Sequence, residues 1–281
     1  MHSFRRIYRA SVKSAASDEI INTWLQRPAA AVITYACTFT PVTPNQLTLV
    51  STLFGIAAGC LLALEQPWLV SAGICAYMKD LFDSADGQLA RATGRYSRRG
   101  RFLDSIGDFI VNAAVFIGIT LLLIHRGMGL SASLAVALTG WLGVNLRVSY
   151  QVFYQTQYLH TEGSYFTNRA REDVRPEDEL SGDRAALLLQ RIFSVLYGWQ
   201  DRLVAALDAS SQKRAGHPPA SDWYRHPTAL RLNSFFGMGT EYTALALCLC
   251  FGSIEAYLIL TLGVFNLLWA AAVVYRLRFA F

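Results

Sequence analysis

Long apolar stretches separated by short polar turns dominate the chain. The first covers 43–64 and opens on Thr43-Pro44, and a threonine cap followed by proline at the first helical position is typical of a helix start. It is about long enough to cross the hydrocarbon core of a bilayer, which takes roughly 20 residues. Comparable stretches predict five more spans, at about 68–91, 102–124, 131–153, 233–251 and 254–275. The pattern therefore predicts an all-α membrane protein with six transmembrane helices.

Two segments are too polar to span. In residues 1–42, arginines alternate with apolar side chains, which predicts one or two amphipathic helices on the membrane surface. Residues 158–232 contain an apolar stripe at helical spacing over 184–207, which predicts an amphipathic cytoplasmic helix that lies on the membrane or caps a site. An insertion without chemistry is the favoured interpretation of 158–232. These segments flank two transmembrane parts, 43–157 with four spans and 233–281 with two.

Composition and charge support this class and orient the chain. Hydrophobic residues make up 53% and charged residues 16%, against about 25% charged in soluble domains. Five cysteines without a CxxC pair indicate neither a disulfide framework nor a zinc site. The arginines cluster in the N-terminal arm, in 91–101 and at the C-terminus. The positive-inside rule then places these parts on the cytoplasmic side of the cell inner membrane. No nucleic-acid partner is expected.

Four carboxylates within this apolar context are the candidate chemistry. Asp83 and Asp86 are three positions apart, and Asp104 and Asp108 are four apart, so each pair shares one face of a helix. Ionisable groups inside apolar segments are costly and mark function by default. Carboxylates suit Mg²⁺ or Mn²⁺, and two acids from each of two antiparallel helices could hold one or two such ions. Such ions neutralise phosphates and stabilise a leaving group.

The residues after the first pair of acids fit a phosphate-bearing substrate. Gly87 and Ala90 lack bulk, so a substrate could press against the helix there. Arg91 adds a planar fork suited to phosphate. A carboxylate that is not fully used on the metal could take the proton from an attacking hydroxyl. These residues predict metal-assisted transfer of a phosphoryl-type group at the boundary between cytosol and membrane.

The spacing of these residues resembles the signature of the CDP-alcohol phosphotransferases, Asp-x2-Asp-Gly-x2-Ala-Arg-x8-Gly-x3-Asp-x3-Asp. The fixed positions are filled by Asp83, Asp86, Gly87, Ala90, Arg91, Gly100, Asp104 and Asp108. The sequence from Thr43 to Thr48 is also similar to the Pro-Asn-x-x-Thr start of the family's first span. The resemblance covers spans one to three. The long segment 158–232 departs from the family's shorter members.

The resemblance implies an activity and roles for the residues. Members transfer the phosphoryl-bearing group of a CDP-alcohol, often CDP-diacylglycerol, to an acceptor hydroxyl in phospholipid biosynthesis and release CMP. By resemblance, Asp83, Asp86 and Asp104 would bind Mg²⁺ or Mn²⁺, and Asp108 would be a further ligand or the catalytic base. The residues bordering the CDP would be Asn45, Gly87, Ala90, Arg91 and Gly100. Asn45 could instead be a helix cap. The resemblance also implies a homodimer.

We expect the acceptor to be a small polar alcohol, and two residues are candidates to bind it. Arg147 lies in span four and could hold an acceptor phosphate, such as that of inositol phosphate or glycerol phosphate. Glu241 in span five could contact the acceptor or neutralise Arg147 with no ligand at all. Arg147 could also snorkel at a helix end. Lys79 and Asp80, one turn before the motif, are expected to face the lipid headgroups.

Three other classes remain open on the sequence alone. A transporter with metal-binding acids would not need Gly87, Ala90 and Arg91 at fixed offsets, and it would act without releasing CMP. A membrane prenyltransferase also uses Asp-rich motifs with Mg²⁺, but it carries two separate motifs and more spans. A non-catalytic scaffold would have no reason to keep all four acids.

Overall fold

The structure, a computed structural model, describes residues 4–11, 18–163, 169, 172–180 and 182–279. Every regular element within these ranges is helical, which confirms the all-α prediction. The helices are α1 (Phe4–Ser11), α2 (Arg27–Cys37), α3 (Pro44–Ala63), α4 (Leu69–Thr93), α5 (Arg98–His125), α6 (Leu130–Thr161), α7 (Pro176–Leu180), α8 (Arg184–Arg214), α9 (Ala220–Arg225), α10 (Pro227–Asn233), α11 (Met238–Cys250), α12 (Ile254–Ile259) and α13 (Phe265–Phe279). Short π-helical turns precede α2, at Asn22–Gln26, and join α12 to α13, at Leu260–Val264.

Three helical segments of the described residues are long and apolar enough to cross a membrane: Pro44–Ala63, Arg98–His125 and Ile254–Arg278. They coincide with the predicted first, third and sixth spans. The predicted second, fourth and fifth spans fall on α4, α6 and α11, which are not both long and apolar enough to be candidate spans. The C-terminal half of α4 carries several charges, and α11 is only 13 residues long. The structure thus supports a membrane protein with three candidate spans.

Helices α3 and α5 approach each other at backbone contact. A Cβ added at Gly59 would lie 2.5 Å from the carbonyl oxygen of Ala114, and one at Gly118 would lie 2.2 Å from the carbonyl oxygen of Gly59. Only glycine permits this distance, because any side chain would force the helices apart. The close packing fixes the start of α3 relative to the acids of α5.

The N-terminal segment packs against α4. Thr34 donates a hydrogen bond to the carbonyl of Ala85 at 3.3 Å, and Gln88 donates one to the carbonyl of Arg27 at 3.0 Å. One side of α2 is therefore buried against the helix that carries Asp83. The placement of this segment on the membrane surface stays a prediction, and its residues 12–17 lie outside the described residues.

The helix at the predicted fifth span begins later than the expected Asn233. Helix α10 ends at Asn233, the chain turns, and α11 begins at Met238. The reason is a distant cap, because the carboxylate of Glu19 accepts a hydrogen bond from the Thr240 N–H at 2.9 Å. A Cβ on Gly237 would lie 2.1 Å from Glu19 Cδ, so glycine makes room for that carboxylate.

Helix α8 covers the N-terminal end of α5 and the C-terminal half of α6. The amphipathic helix expected over 184–207 continues to Arg214. Ser149 on α6 donates a hydrogen bond to Gln200 at 2.5 Å, and Tyr154 donates one to Asp208 at 2.8 Å. Within 158–232, helix α8 is thereby packed onto the bundle through buried side chains.

Candidate active site

The first half of the motif lies on the last turns of α4. Asp83, Asp86 and Ala90 follow one another at helical spacing before α4 ends at Thr93. Gly94 then adopts a left-handed conformation with φ 67° and returns its N–H to the carbonyl of Ala90, which is a common way to end a helix. The turn reverses the chain, and α4 and α5 then both pack against α3.

The second half of the motif lies on the first turns of α5. Ser97 caps this helix, because its hydroxyl accepts the Gly100 N–H at 2.9 Å. Asp104 and Asp108 follow one turn apart. Ligand oxygens of Asp83, Asp104 and Asp108 lie within 4.8 Å of one another. The predicted convergence of acids from two antiparallel helices is therefore present for three of the four.

Asp86 is held separately from these three acids. Its Oδ2 accepts a hydrogen bond from the hydroxyl of Thr48 on α3 at 2.5 Å. The side chain is 7% exposed and lines the same cavity as the other acids. Thr48 belongs to the Pro-Asn-x-x-Thr start of α3, but the sequence could not predict its contact with Asp86. Helical spacing within α4 carries no information about a contact to α3.

The expectation for Lys79 and Asp80 is wrong, because both are buried rather than turned to the headgroups. Their side chains are 1% and 2% exposed. Lys79 Nζ lies 2.5 Å from Asp108 Oδ1 and 3.3 Å from Asp83 Oδ1. The spacing of four between Lys79 and Asp83 could have placed them on one helical face.

These acids line a cavity of about 590 Å³. All five residues predicted to border the CDP lie on its wall: Asn45, Gly87, Ala90, Arg91 and Gly100. A Cβ on Gly87 would lie 3.2 Å from the guanidinium of Arg91, so Arg91 folds back over the glycine. The capping residue of α3 is Thr43, which leaves Asn45 free of the alternative role as a helix cap.

The carboxylates fit a hard divalent cation. Oδ1 of Asp104 is buried and has no hydrogen-bond partner among the described residues. A buried carboxylate oxygen without a donor is costly, and a cation at the cavity wall would satisfy it. Three converging carboxylates with this orphaned oxygen match the oxygen-rich ligand sets of Mg²⁺ and Mn²⁺.

Helix α8 supplies a wall of the cavity, as in the alternative that its amphipathic stripe caps a site. Tyr197 donates a hydrogen bond to the carbonyl of Ser105 at 2.9 Å, and Phe193 packs on Phe102 with ring centroids 5.4 Å apart. Phe193, Tyr197 and Asp201 all line the cavity. The favoured interpretation of 158–232 as an insertion without chemistry does not anticipate these contacts, whereas the alternative of a helix that caps the site agrees with them.

Arginines at the start of α5 are paired with acids of the same insertion. Glu172 accepts hydrogen bonds from Arg98, at 3.3 Å, and from Arg101. Asp178 accepts from Arg98 and, at 2.9 Å, from Arg169. Burial opposes ionisation of Asp178, but hydrogen bonds from Arg169 and other donors hold the pKa of its carboxyl well below its usual value. Arg98, Arg101 and Arg169 all line the cavity.

Arg147 and Glu241 form a separate buried network. Arg147 is fully buried, and its Nε donates to Glu241 Oε1 at 3.0 Å. Its Nη1 donates to the Thr261 carbonyl at 3.0 Å and also to Asn266. Neither Arg147 nor Glu241 belongs to the cavity lining. The geometry favours mutual neutralisation, and the acceptor role of both residues stays a prediction.

The fold and the site thus define a helical membrane protein with a cluster of carboxylates in its cavity. Residues 41–167 match the family model of the CDP-alcohol phosphatidyltransferases. These residues are a CDP-alcohol phosphatidyltransferase domain, which confirms the resemblance seen in the motif and its spacing.

Several relatives are similar to this chain over part of its length. An archaetidylinositol phosphate synthase of Pyrococcus horikoshii is 41% identical over 80 residues, which is 28% of this chain and 42% of the relative. A phosphatidylinositol phosphate synthase of Cutibacterium acnes is 38% identical over 80 residues, 28% of this chain and 38% of the relative. A bifunctional IPC transferase and DIPP synthase of Thermococcus kodakarensis is 40% identical over 73 residues, 26% of this chain and 16% of the relative. The chain therefore spans less than half the length of these relatives.

Proposed function

We propose that this protein is an integral membrane CDP-alcohol phosphotransferase that acts in phospholipid biosynthesis. It would transfer the phosphatidyl or another substituted phosphoryl group of a CDP-alcohol, with CDP-diacylglycerol as the donor, to the hydroxyl of a small polar alcohol. The observation that carries the proposal is the convergence of Asp83, Asp104 and Asp108 on a cavity whose wall also holds Gly87 and Arg91. This arrangement lies within the matched family domain.

The proposal includes six spans, with the cavity on the cytoplasmic side of the membrane. Three candidate spans support it, together with the predicted second and fourth spans, which fall on helices of 25 and 32 residues. The loop between α4 and α5 is rich in arginine, as cytoplasmic loops are. A charged cavity facing the cytosol would receive both the CDP group of a membrane lipid and a water-soluble acceptor. The homodimer implied by the family resemblance is part of the proposal.

Asp83, Asp86, Asp104 and Asp108 would hold Mg²⁺ or Mn²⁺ in this enzyme. The ion, when bound, supplies charge neutralisation for the diphosphate and stabilises the departing phosphate of CMP. The four acids stand at the ends of two helices that both pack against α3, so their positions are fixed before a substrate arrives. Such preorganisation lowers the cost of gathering the like-charged groups during the reaction.

The remaining residues of the cavity would bind, orient and move a proton. Arg91 would pair with the diphosphate, and Gly87 and Ala90 would let the nucleotide lie close to α4. The acceptor hydroxyl oxygen attacks the phosphorus that bears the alcohol, and the bond from that phosphorus to the bridging oxygen breaks. CMP leaves with the electron pair, and the proton of the hydroxyl passes to the carboxylate of Asp108.

We further propose that the acceptor is a phosphorylated polar alcohol such as inositol phosphate. Two relatives, an archaetidylinositol phosphate synthase and a phosphatidylinositol phosphate synthase, support this class. The guanidinium groups of Arg98, Arg101 and Arg169 lie on the cavity wall and could receive an acceptor phosphate. Their acidic partners, Glu172 and Asp178, would hold them in place beforehand.

The test is CMP release by the purified protein from CDP-diacylglycerol with a panel of acceptors: inositol phosphate, glycerol phosphate, inositol, serine and choline. We expect CMP and a labelled lipid product with a phosphorylated acceptor and Mg²⁺ or Mn²⁺, and neither in excess chelator. Full activity in chelator would remove the metal from the proposal. Metal-dependent uptake of a solute without any CMP would favour the transporter, and prenyl transfer would favour the prenyltransferase.

A further inference from the structure

The cavity continues past the carboxylates of the motif onto a polar floor, formed by Asn22, Asp80, Asn112 and Gly239, which all line it. Asp80 stands one turn before the first motif acid on α4, and Asn112 stands one turn after the last motif acid on α5. Because the chain reverses between these two helices, both residues lie on the side of the acids away from the arginine-rich turn. None of the four residues belongs to the motif.

Helix α11 borders this polar floor. The hydroxyl of Tyr242 donates a hydrogen bond to Asn112 Oδ1 at 3.0 Å, and the Tyr242 ring lies 4.9 Å from the Nζ of Lys79, the residue before Asp80. The bond from Tyr242 orients the Asn112 amide. Among the described residues, Asn112 Nδ2 contacts only the thioether of Met238, at 3.7 Å. Sulfur is a weak acceptor, so Asn112 has donor capacity left.

Two buried oxygens of the polar floor have no hydrogen-bond partner among the described residues. They are Oδ2 of Asp80, which is 2% exposed, and Oδ1 of Asn22. Asn22 Nδ2 donates to Glu19 at 3.0 Å, and a Cβ on Gly239 would lie 2.0 Å from Asn22 Oδ1. A buried polar atom without a partner is costly. A ligand that donates hydrogen bonds would satisfy both oxygens.

The chemistry of these atoms determines which groups the polar floor can bind. Asp80 and Asn22 need donors and Asn112 needs an acceptor, and a hydroxyl group is both. The ester carbonyls of a lipid can only accept. A phosphate would be repelled by the carboxylates of Asp80 and Glu19, which both line the cavity. An ammonium offers no acceptor to Asn112, so a group with several hydroxyls fits best.

We propose that the polar floor binds hydroxyl groups of the acceptor that do not react, so that the enzyme selects a polyol over an amino alcohol. Asp80 is the main specificity residue, because a hydrogen bond to a charged oxygen is stronger than one to an amide. A site built for a hydroxyl rejects an analogue that lacks it, since its buried groups then stay unpaired. The inference rests on the proposed function and adds to it the recognition of the acceptor's hydroxyl groups.

The experiment compares inositol phosphate with its deoxy analogues, each lacking one hydroxyl, as acceptors for the purified full chain with CDP-diacylglycerol and Mn²⁺. For the wild type, we expect removal of one particular hydroxyl to raise the acceptor KM about tenfold or more, as for a lost hydrogen bond to a charged group. Asp80→Ala should raise the KM for inositol phosphate similarly, and the same deoxy analogue should then cost nothing further. Asp80→Asn, which keeps an oxygen without the charge, should fall between the two.

Thermal unfolding distinguishes this role from a structural one. Because Asp80 Oδ2 is buried without a partner, we expect Asp80→Ala to unfold at or above the wild-type midpoint. Its KM for CDP-diacylglycerol should stay within about twofold of the wild type. Asp222→Ala is the matched control, since Asp222 is exposed on α9 and does not line the cavity, and it should keep the wild-type midpoint and both KM values.

Equal KM values of the wild type for every deoxy analogue would overturn the inference, and so would an unchanged KM for inositol phosphate in Asp80→Ala. Preferred use of serine or choline would also overturn it. If Asp80→Ala does not fold, the deoxy series on the wild type decides. Absence of CMP release with every acceptor would withdraw the proposed function, and calorimetric binding of inositol phosphate and its deoxy analogues would then decide on the polar floor.

Discussion

Gly100 on α5 lies directly opposite Asn45 on α3, and a Cβ at Gly100 would stand 2.7 Å from Asn45 Oδ1. Both residues line the cavity. The pair joins the start of the first candidate span to the first turn of the third. The signature needs a glycine at this position because the space that a larger side chain would occupy is filled by the amide of Asn45. That amide would border the CDP.

We expect Gly100→Ala to weaken nucleotide binding with little loss of stability. The added methyl would displace the amide of Asn45 and the hydroxyl of Ser97, which are ends of flexible side chains and can move. The loss of a positioned hydrogen bond is worth about tenfold in affinity. The measurement is the KM for CDP-diacylglycerol together with the midpoint of thermal unfolding.

Gly129→Ala is the control for this variant. A Cβ at Gly129 meets nothing within 4 Å among the described residues. The KM for CDP-diacylglycerol and the midpoint of thermal unfolding should therefore stay at the wild-type values. If Gly100→Ala binds the nucleotide as the wild type does, Asn45 is not part of the binding wall.

Asp83→Asn and Asp108→Asn should separate the roles of these two acids. Asp83→Asn removes a ligand charge, so we expect weaker Mn²⁺ binding and no turnover. If Asp108 acts mainly as the base, Asp108→Asn should keep binding of the CDP-alcohol and lose about 10²–10⁴-fold in kcat. The measurements are Mn²⁺ affinity, nucleotide affinity and CMP release. Equal loss of nucleotide binding in both variants would make Asp108 purely a ligand.

Local spacing explains how much of the site the sequence could predict. Asp83 and Asp86 share one face of α4, and Asp104 and Asp108 share one face of α5, because helical geometry alone dictates it. The short turn capped by Gly94 then brings the two faces together. Fold class and the principal acids of the site follow from these local rules.

Contacts between distant segments explain what the sequence could not predict. Tyr197 reaches the carbonyl of Ser105 across 92 positions, so this contact of α8 has no local signal. Glu19 caps α11 across 221 positions and thereby moves the start of that helix from the expected 233 to 238. The burial of Lys79 similarly depends on Asp108 and Tyr242, which belong to other helices.

The cap formed by Glu19 predicts a pH dependence of stability. Burial is the main cause that raises the pKa of Glu19 to about 7, with a smaller contribution from Asp18, and hydrogen bonds from Thr240 oppose it. Since the folded state then binds the proton more tightly than the unfolded state, stability falls as the pH rises from about 4.5 to about 7. The contribution of this group is at most about 3 kcal/mol.

We expect Glu19→Gln to remove this part of the pH dependence. The measurement is the midpoint of thermal unfolding in detergent between pH 4.5 and 8, compared as the difference between variant and wild type, in which groups common to both cancel. Glu177→Gln serves as control, because the Glu177 side chain is 80% exposed, and it should follow the wild type. Parallel curves for Glu19→Gln and the wild type would contradict the prediction.

Arg147 and Glu241 allow a test of structure against acceptor binding. Removing one partner of a buried ion pair leaves an uncompensated charge and typically costs 3–5 kcal/mol. We therefore expect Arg147→Met and Glu241→Gln each to lower the midpoint of thermal unfolding strongly. The double variant should recover much of the loss, because no unpaired charge remains in it. Thermal unfolding of the four proteins completes the double-mutant cycle.

The KM for the phosphorylated acceptor, measured on the same four proteins, tests whether Arg147 binds the acceptor. If Arg147 only neutralises Glu241, the double variant should keep the wild-type KM within about twofold, because neither side chain lines the cavity. If Arg147 holds the acceptor phosphate, the KM should rise in every variant that lacks it, including the stable double variant, by about tenfold or more for a lost charge-assisted hydrogen bond. Arg101→Met is the comparison, since Arg101 does line the cavity and is expected to raise the acceptor KM. A raised KM in the double variant with an unchanged one in Arg101→Met would move the acceptor site from the α5 arginines back to Arg147.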